Sequence, residues 1–488
     1  MNLGVLTVLS RKIRTSGKGL YLVSHHPRMT NKSAPTTGLR KVLGLPALFI
    51  ITIGLVVSQT SVVSVLQGAG LGGGSFFIAI LIAFILTQCY ISTYSELALM
   101  MPKAGSISTF TAVSIGHFAA IVAALSAYVA PGIFATPAEI LLMQHVLDTI
   151  SPGTFSNIAL ILLWAFTLLN ILGVDLFASI QGIISYTMLV TFFAMGFAGS
   201  ITTGANGFSG PQIWHQFIHS GNSAFALVMV AIWPLVGFEM ICDLVEEAKN
   251  PIKHIPKAMF IASIVMLTGY SLVALAAMKQ VPAAQLANTD IPHWFLGKAV
   301  FGNTGKIFVV ILSITTSSGL INAALAAVPR LLYGMAHHRQ LPPIFMHLHP
   351  KFKTPWFGIL FVATLITVPV LIFGKNPDAL LMLIIASASC YLLAYVIAHV
   401  DLVVLRKKYP DRKRPYRSTM FPLVQVVGIA GMIYAFFNNA PTPQLRWKVY
   451  LTAGLFLGVV GVYAFFWVRY KMKKGLFEAE PIQQAIRD

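Results

Sequence analysis

Two stretches hold residues whose types and spacing could do chemistry. One runs Trp233-Pro234-Leu-Val236-Gly237-Phe238-Glu239 inside an otherwise apolar segment. Proline removes a backbone donor and clashes with the preceding turn. Glycine permits backbone that other residues avoid, and a carboxylic acid follows at once. In lipid, broken backbone persists only where it is buried in protein or lines a wet cavity. An ionisable residue at that depth points to function. The helix is therefore expected to open around 233–238, facing a binding site. The plain alternative is a proline kink with Glu239 tied to a neighbouring helix.

The other stretch is Ser58-Gln59-Thr60-Ser61, between Val57 and Val62. Four polar residues in succession cover all sides of a helix. If the helix breaks here, the freed amides and helix ends can hold a carboxylate or an ammonium group. The plain alternative is hydroxyl groups bonding back to their own helix or across to another.

The elements that must position these residues are membrane helices. The chain has 488 residues, 56% hydrophobic and 10% charged, with mean hydropathy +0.77. That composition excludes an ordinary soluble domain and predicts an all-α polytopic membrane protein. Twelve spans are expected, near 44–66, 75–99, 117–146, 156–173, 177–199, 223–247, 257–278, 303–335, 356–373, 379–400, 420–438 and 448–468. The third and eighth are long, which implies tilt or extension beyond the bilayer.

Charge sets the expected orientation. With the N-terminus in the cytoplasm, 28 of the 34 Lys and Arg residues fall on the inner side and 6 on the outer. Both termini are then cytoplasmic, in a multi-pass protein of the cell membrane. The net charge of +19 marks topology beside anionic lipid and not a nucleic-acid partner. The basic N-terminus runs into a full-length span without a small-residue cleavage site, so no cleavable signal is expected. Met29 is a candidate start. Cys89, Cys242 and Cys390 lie in apolar helices without metal or redox spacing and read as packing residues.

The two interrupted segments fall five spans apart and enter from opposite sides. Such pairs are the best sequence pointer to a transporter site between inverted repeats. The expected organisation is a cytoplasmic tail 1–41, a first repeat 42–200, a second repeat 201–402, two further spans in 403–470 and a cytoplasmic tail 471–488.

Several blocks carry a resemblance. Tyr94-Ser-Glu-Leu-Ala and Met101-Pro-Lys-Ala-Gly105 follow the second span. Gly237-Phe-Glu239, Glu246-Glu247-Ala-Lys-Asn250-Pro251 and Ile255-Pro256 mark the sixth. Asn322-Ala-Ala, Arg330-Leu-Leu-Tyr333, Leu341-Pro342-Pro343 and Thr354-Pro355 mark the eighth and its loop. Arg414-Pro415-Tyr416-Arg417 precedes the eleventh. In this order, on these spans, the chain resembles the amino acid–polyamine–organocation superfamily of permeases.

The resemblance implies a leucine-transporter-like fold of five plus five inverted helices and two more. It implies secondary transport of amino acids or related amines by alternating access, with proton coupling or exchange. It places Val57, Ser58, Gln59, Thr60 and Ser61 against the substrate's carboxylate and amino groups. It makes Trp233 an aromatic gate, with Phe238 as a second candidate, and adds Val236, Gly237 and Asn322 to the substrate contacts. Glu239 stands where an acid linked to proton movement is found in some members, and burial raises a carboxyl's pKa toward working pH. Two departures stand out. The glycines usual in the first-span break are Ser58 and Thr60, which crowds backbone approach to a carboxylate. The fifth span has Met188 near the place of a lysine that some members use, and no lysine in 177–199.

Five other groups are candidates. The third span runs outward, which favours a solvated Glu139 near its outer end over a carboxylate paired with an amine substrate. Asp243 and Glu246 share a helix face with Glu239, and Glu247 follows. With Lys249, Lys253 and Arg330 nearby, they read as an inner ion network without a substrate role. His337-His338 and His347-x-His349 lack the ligand spacing of a metal site, so neither metal nor cofactor is expected. Gly68 to Gly74 has no preceding strand and fails as a phosphate loop. Asn31-Lys-Ser33 is a formal glycosylation acceptor on the cytoplasmic side.

An enzyme embedded in the membrane would need a nucleophile–base pair or metal cluster at one depth, and none is visible. A non-transporting amino-acid sensor should carry an appended soluble domain, for which the tails are short.

Overall fold

The computed structural model describes residues 41–153, 157–204, 207–221, 223–373, 379–440 and 443–486. The N-terminal tail through residue 40, with Met29 and Asn31–Ser33, lies outside the described residues. Among those described, eight helices are long and apolar enough to cross a membrane. A bent pair, α1 (Leu45–Val56) and α2 (Gln59–Gly72), supplies a ninth crossing. Three shorter apolar helices, Ile158–Leu172, Trp356–Ile372 and Leu423–Phe437, stand at the expected fourth, ninth and eleventh spans. The chain is an all-α polytopic membrane protein, as its composition requires.

Burial separates the spans by role. In the sixth span, Val228–Glu247, 89% of the apolar window is buried; in the twelfth, Pro443–Met472, the figure is 22%. The polar interruptions therefore lie on the most enclosed helices. α1 packs against the fifth (Val174–Ile201), seventh (Pro251–Gln280) and eighth (Gly305–His337) spans. The approach to the fifth is close: a Cβ on Gly54 would lie 1.8 Å from Gln181 Nε2. The tenth span (Ala379–Lys408) packs against the second (Ser75–Met100) and the eleventh.

Both interruptions have local causes. Ser58 is the N-cap of α2 in extended conformation, and its Oγ accepts from Ser61 N at 3.0 Å. A serine at that position satisfies an orphan amide at the helix start, and α1 and α2 meet at 59°. In the sixth span an α-helix, Val228–Ile232, tightens to a 3₁₀ turn at Trp233–Leu235. The chain then passes through Gly237 at φ +105° and resumes as a 3₁₀ segment over Phe238–Glu247. Pro234 cannot donate to the preceding turn, and the positive φ favours glycine.

The face that carries residues 41–45 and 247–257 is closed by backbone. Val42 N and Leu43 N both donate to Glu247 O, and Lys249 N donates to Leu43 O, each at 2.9 Å. This ties the entry of the first span to the exit of the sixth. The motif blocks also meet in space. Glu96 pairs with Arg406 and, at 3.0 Å, with Arg414, and accepts from Ser418 N at 2.7 Å.

Candidate functional site

The two breaks face a common cavity. Ser58 and Ser61 from the first span line it with Trp233, Val236 and Gly237 from the sixth. Tyr128, Thr136 and Tyr391 add hydroxyl groups, and none of the lining residues is charged. The space for water-sized molecules is about 40 Å³. That accommodates a few waters and no amino acid, so the cavity is contracted in this conformation.

At the first break the amides are already taken. Gln59 N and Thr60 N donate to the two carboxyl oxygens of Glu139, the second at 3.0 Å. Ser317 Oγ donates to the same group at 2.9 Å. Glu139 is fully buried. This corrects its expected position at a solvated outer end. The third span, His117–Ile150, has 34 residues, or about 50 Å of helix, so distance along it does not measure depth in a bilayer of about 30 Å. A π-helical turn at Leu125–Val129 just before Pro131 further alters the span's register. The Gln59 side chain sits between Ser317 Oγ and His293 Nε2, at 3.2 Å from each. Thr60 Oγ1 bonds to Ser58 Oγ at 2.8 Å and takes a 3.4 Å hydrogen bond from Trp233 Nε1, which joins the two breaks.

The sixth-span break is held by tyrosines. Tyr90 Oη donates to Leu235 O at 2.6 Å, and Thr87 Oγ1 to the same carbonyl at 3.2 Å. Gly237 N donates to Tyr395 Oη at 3.1 Å, and that hydroxyl donates to Glu239 Oε2 at 2.8 Å. The Tyr90 and Tyr395 rings stack at 4.2 Å. Glu239 is fully buried, and its Oε1 has no hydrogen-bond partner among the described residues. It stands behind the cavity wall, reached through Tyr395 and not directly.

The residues expected at the site therefore divide. Ser58, Ser61, Trp233, Val236 and Gly237 line the cavity. Val57, Gln59, Thr60 and Phe238 are buried just outside it. Asn322 lies elsewhere: Asn170 Nδ2 donates to its Oδ1 and its Nδ2 donates to Gln181 Oε1, both at 2.8 Å. That pairing fastens the fourth, fifth and eighth spans together.

The inner acids also separate. Arg330 makes a two-pronged pair with Glu247, both almost fully buried. Glu246 accepts from Ala104 N at 2.9 Å. Asp243 is fully buried beside the hydroxyls of Ser106 and Tyr128. Sequence reasoning missed the tyrosine supports, since Tyr90 and Tyr395 lie on other helices and carry no local signal. A fold of membrane helices around two interrupted spans, with a small cavity between them, is the architecture of a membrane transporter.

The chain belongs to the amino acid permease family, whose model matches residues 43–462. It is 25% identical over 453 residues to a branched-chain amino acid permease of Bacillus subtilis, covering 86% of this chain and 94% of that one. A serine/threonine exchanger of the same organism is 24% identical over 444 residues, covering 86% and 95%. A methylthioribose transporter, again from Bacillus subtilis, is 24% identical over 444 residues, covering 85% and 92%. Family and relatives are transporters, not enzymes.

Proposed function

We propose that the protein is a secondary active transporter that carries an amino acid or related amine through the cavity between its two breaks. The observation that carries this reading is the convergence of both breaks on one cavity. The halves 42–200 and 201–402 then rock about it, opening it to each side in turn. The relatives' names span free amino acids and a thiosugar, so membership alone leaves the cargo open. The Lys and Arg bias supports cytoplasmic termini.

Glu239 carries the coupling proton in this reading. It is buried, lacks an ion-pair partner among the described residues, and touches the break through Tyr395. A carboxyl so placed gains and loses a proton as the break opens and closes. Trp233, bridging the two breaks, covers the cargo.

Reconstitution in proteoliposomes tests both statements. Cargo should accumulate inside when a pH gradient is imposed and equilibrate when it is collapsed. Glu239→Gln should bind cargo with little pH dependence and lose uphill accumulation. Uphill transport by that variant with the wild-type pH profile would remove Glu239 from the coupling step.

A further inference from the structure

Helix α2 begins at the cavity edge, and the start of a helix is a ready-made seat for an anion. In this chain the seat is occupied from within. Glu139 takes the amides of Gln59 and Thr60, and Ser58 Oγ takes that of Ser61. The hydroxyl of Ser317 completes the coordination of Glu139. A cargo carboxylate would have to displace a fully buried side chain or lie beside it unpaired. Either costs far more than an ordinary hydrogen bond returns.

The rest of the cavity offers an anion only neutral donors. Among the described residues no Lys, Arg or His lines it. The surfaces it does present suit a cation. α1 ends at the cavity with Leu55 and Val56, and the C-terminal end of a helix carries partial negative charge on its carbonyls. Tyr128 lines the cavity with a buried hydroxyl that stands beside the buried carboxyl of Asp243. Trp233 and Tyr391 add aromatic faces of the kind that attract ammonium groups.

The geometry points to a cargo that is an amine without a carboxylate: Glu139 is a built-in substitute for the carboxylate of an amino acid. This rests on the proposed transport through the same cavity, and it narrows the cargo from amino acids and amines to amines alone. The ammonium sits between the carbonyl end of α1 and the Tyr128 hydroxyl, and the apolar remainder of the cargo lies along Trp233, Val236 and Met240.

The test compares amino acids with their decarboxylated partners on purified full-length protein. The pairs are ornithine and putrescine, lysine and cadaverine, leucine and isoamylamine, phenylalanine and phenethylamine. Binding is read by isothermal calorimetry, independently of transport. In at least one pair the amine should bind tenfold or more tightly than its amino acid. Glu139→Ala and Glu139→Gln, checked for monodispersity, should shift that ratio toward the amino acid by tenfold or more. Tighter binding of the amino acid in the pairs that bind, no binding of any compound, or an unchanged ratio in both folded variants would overturn the inference. If Glu139→Ala does not fold, the wild-type ratio and Glu139→Gln still decide. Uptake into proteoliposomes is measured separately: amine-selective binding without uptake would sink the transport reading and leave the selectivity standing.

Discussion

The two interrupted spans solve one problem in different ways. Each must leave backbone groups unpaired inside a membrane and then satisfy them. The first span does it with one carboxyl group, from a helix eighty residues away, which closes the start of α2. The sixth does it with neutral hydroxyls: Tyr90, Thr87 and Tyr395 hold its loose carbonyl and amide. A carboxyl that takes two amides at once is hard to leave half-made, whereas single hydroxyl closures are modest and can be exchanged. In the proposed transport cycle the first break would stay fixed and the sixth would move.

The largest expected effect comes from removing the carboxyl closure. Glu139→Ala leaves two buried amides unpaired and should cost about 3 kcal/mol. The check is a thermal melt in detergent, where little or no change would make the two breaks equivalent. Gly237→Ala should cost on the order of 1–2 kcal/mol, from the backbone at φ +105°. Space is not the issue, since an added Cβ would meet nothing closer than Leu55 O at 3.7 Å.

Trp233→Ala, which cuts the link between the breaks, should weaken cargo affinity by about tenfold and leave the melt unchanged. Unaltered affinity with normal expression would place the indole outside the site. Tyr395→Phe, which leaves Gly237 N without its acceptor, should cost about 1 kcal/mol in the melt, less than Glu139→Ala. If it matched Glu139→Ala, the distinction between fixed and movable closures would fail.

What could be read in the sequence follows the same division. The break at Ser58 was legible because its cap lies within the run itself, Ser58 to Ser61. The break at Gly237 was legible because proline and glycine act on their own backbone. Glu139 was misplaced, because its partners lie on another helix and its depth depends on where a long span enters the membrane. Asn322 was assigned to the cargo by resemblance and is instead spent between Asn170 and Gln181. Glu96 and Arg414 stood out in separate motif blocks, but that they meet could be seen only once the helices were packed.

The tie between Leu43, Glu247 and Lys249 has a consequence for motion. It is made of main chain alone, so in the proposed rocking motion it would act as a yoke that passes a turn of the first span's entry to the sixth span's exit. Substitution of the side chains here would leave the yoke in place, and an alanine scan would pass over it in silence. Proline at position 43 removes one of its three hydrogen bonds and would loosen it while the cavity residues stay untouched.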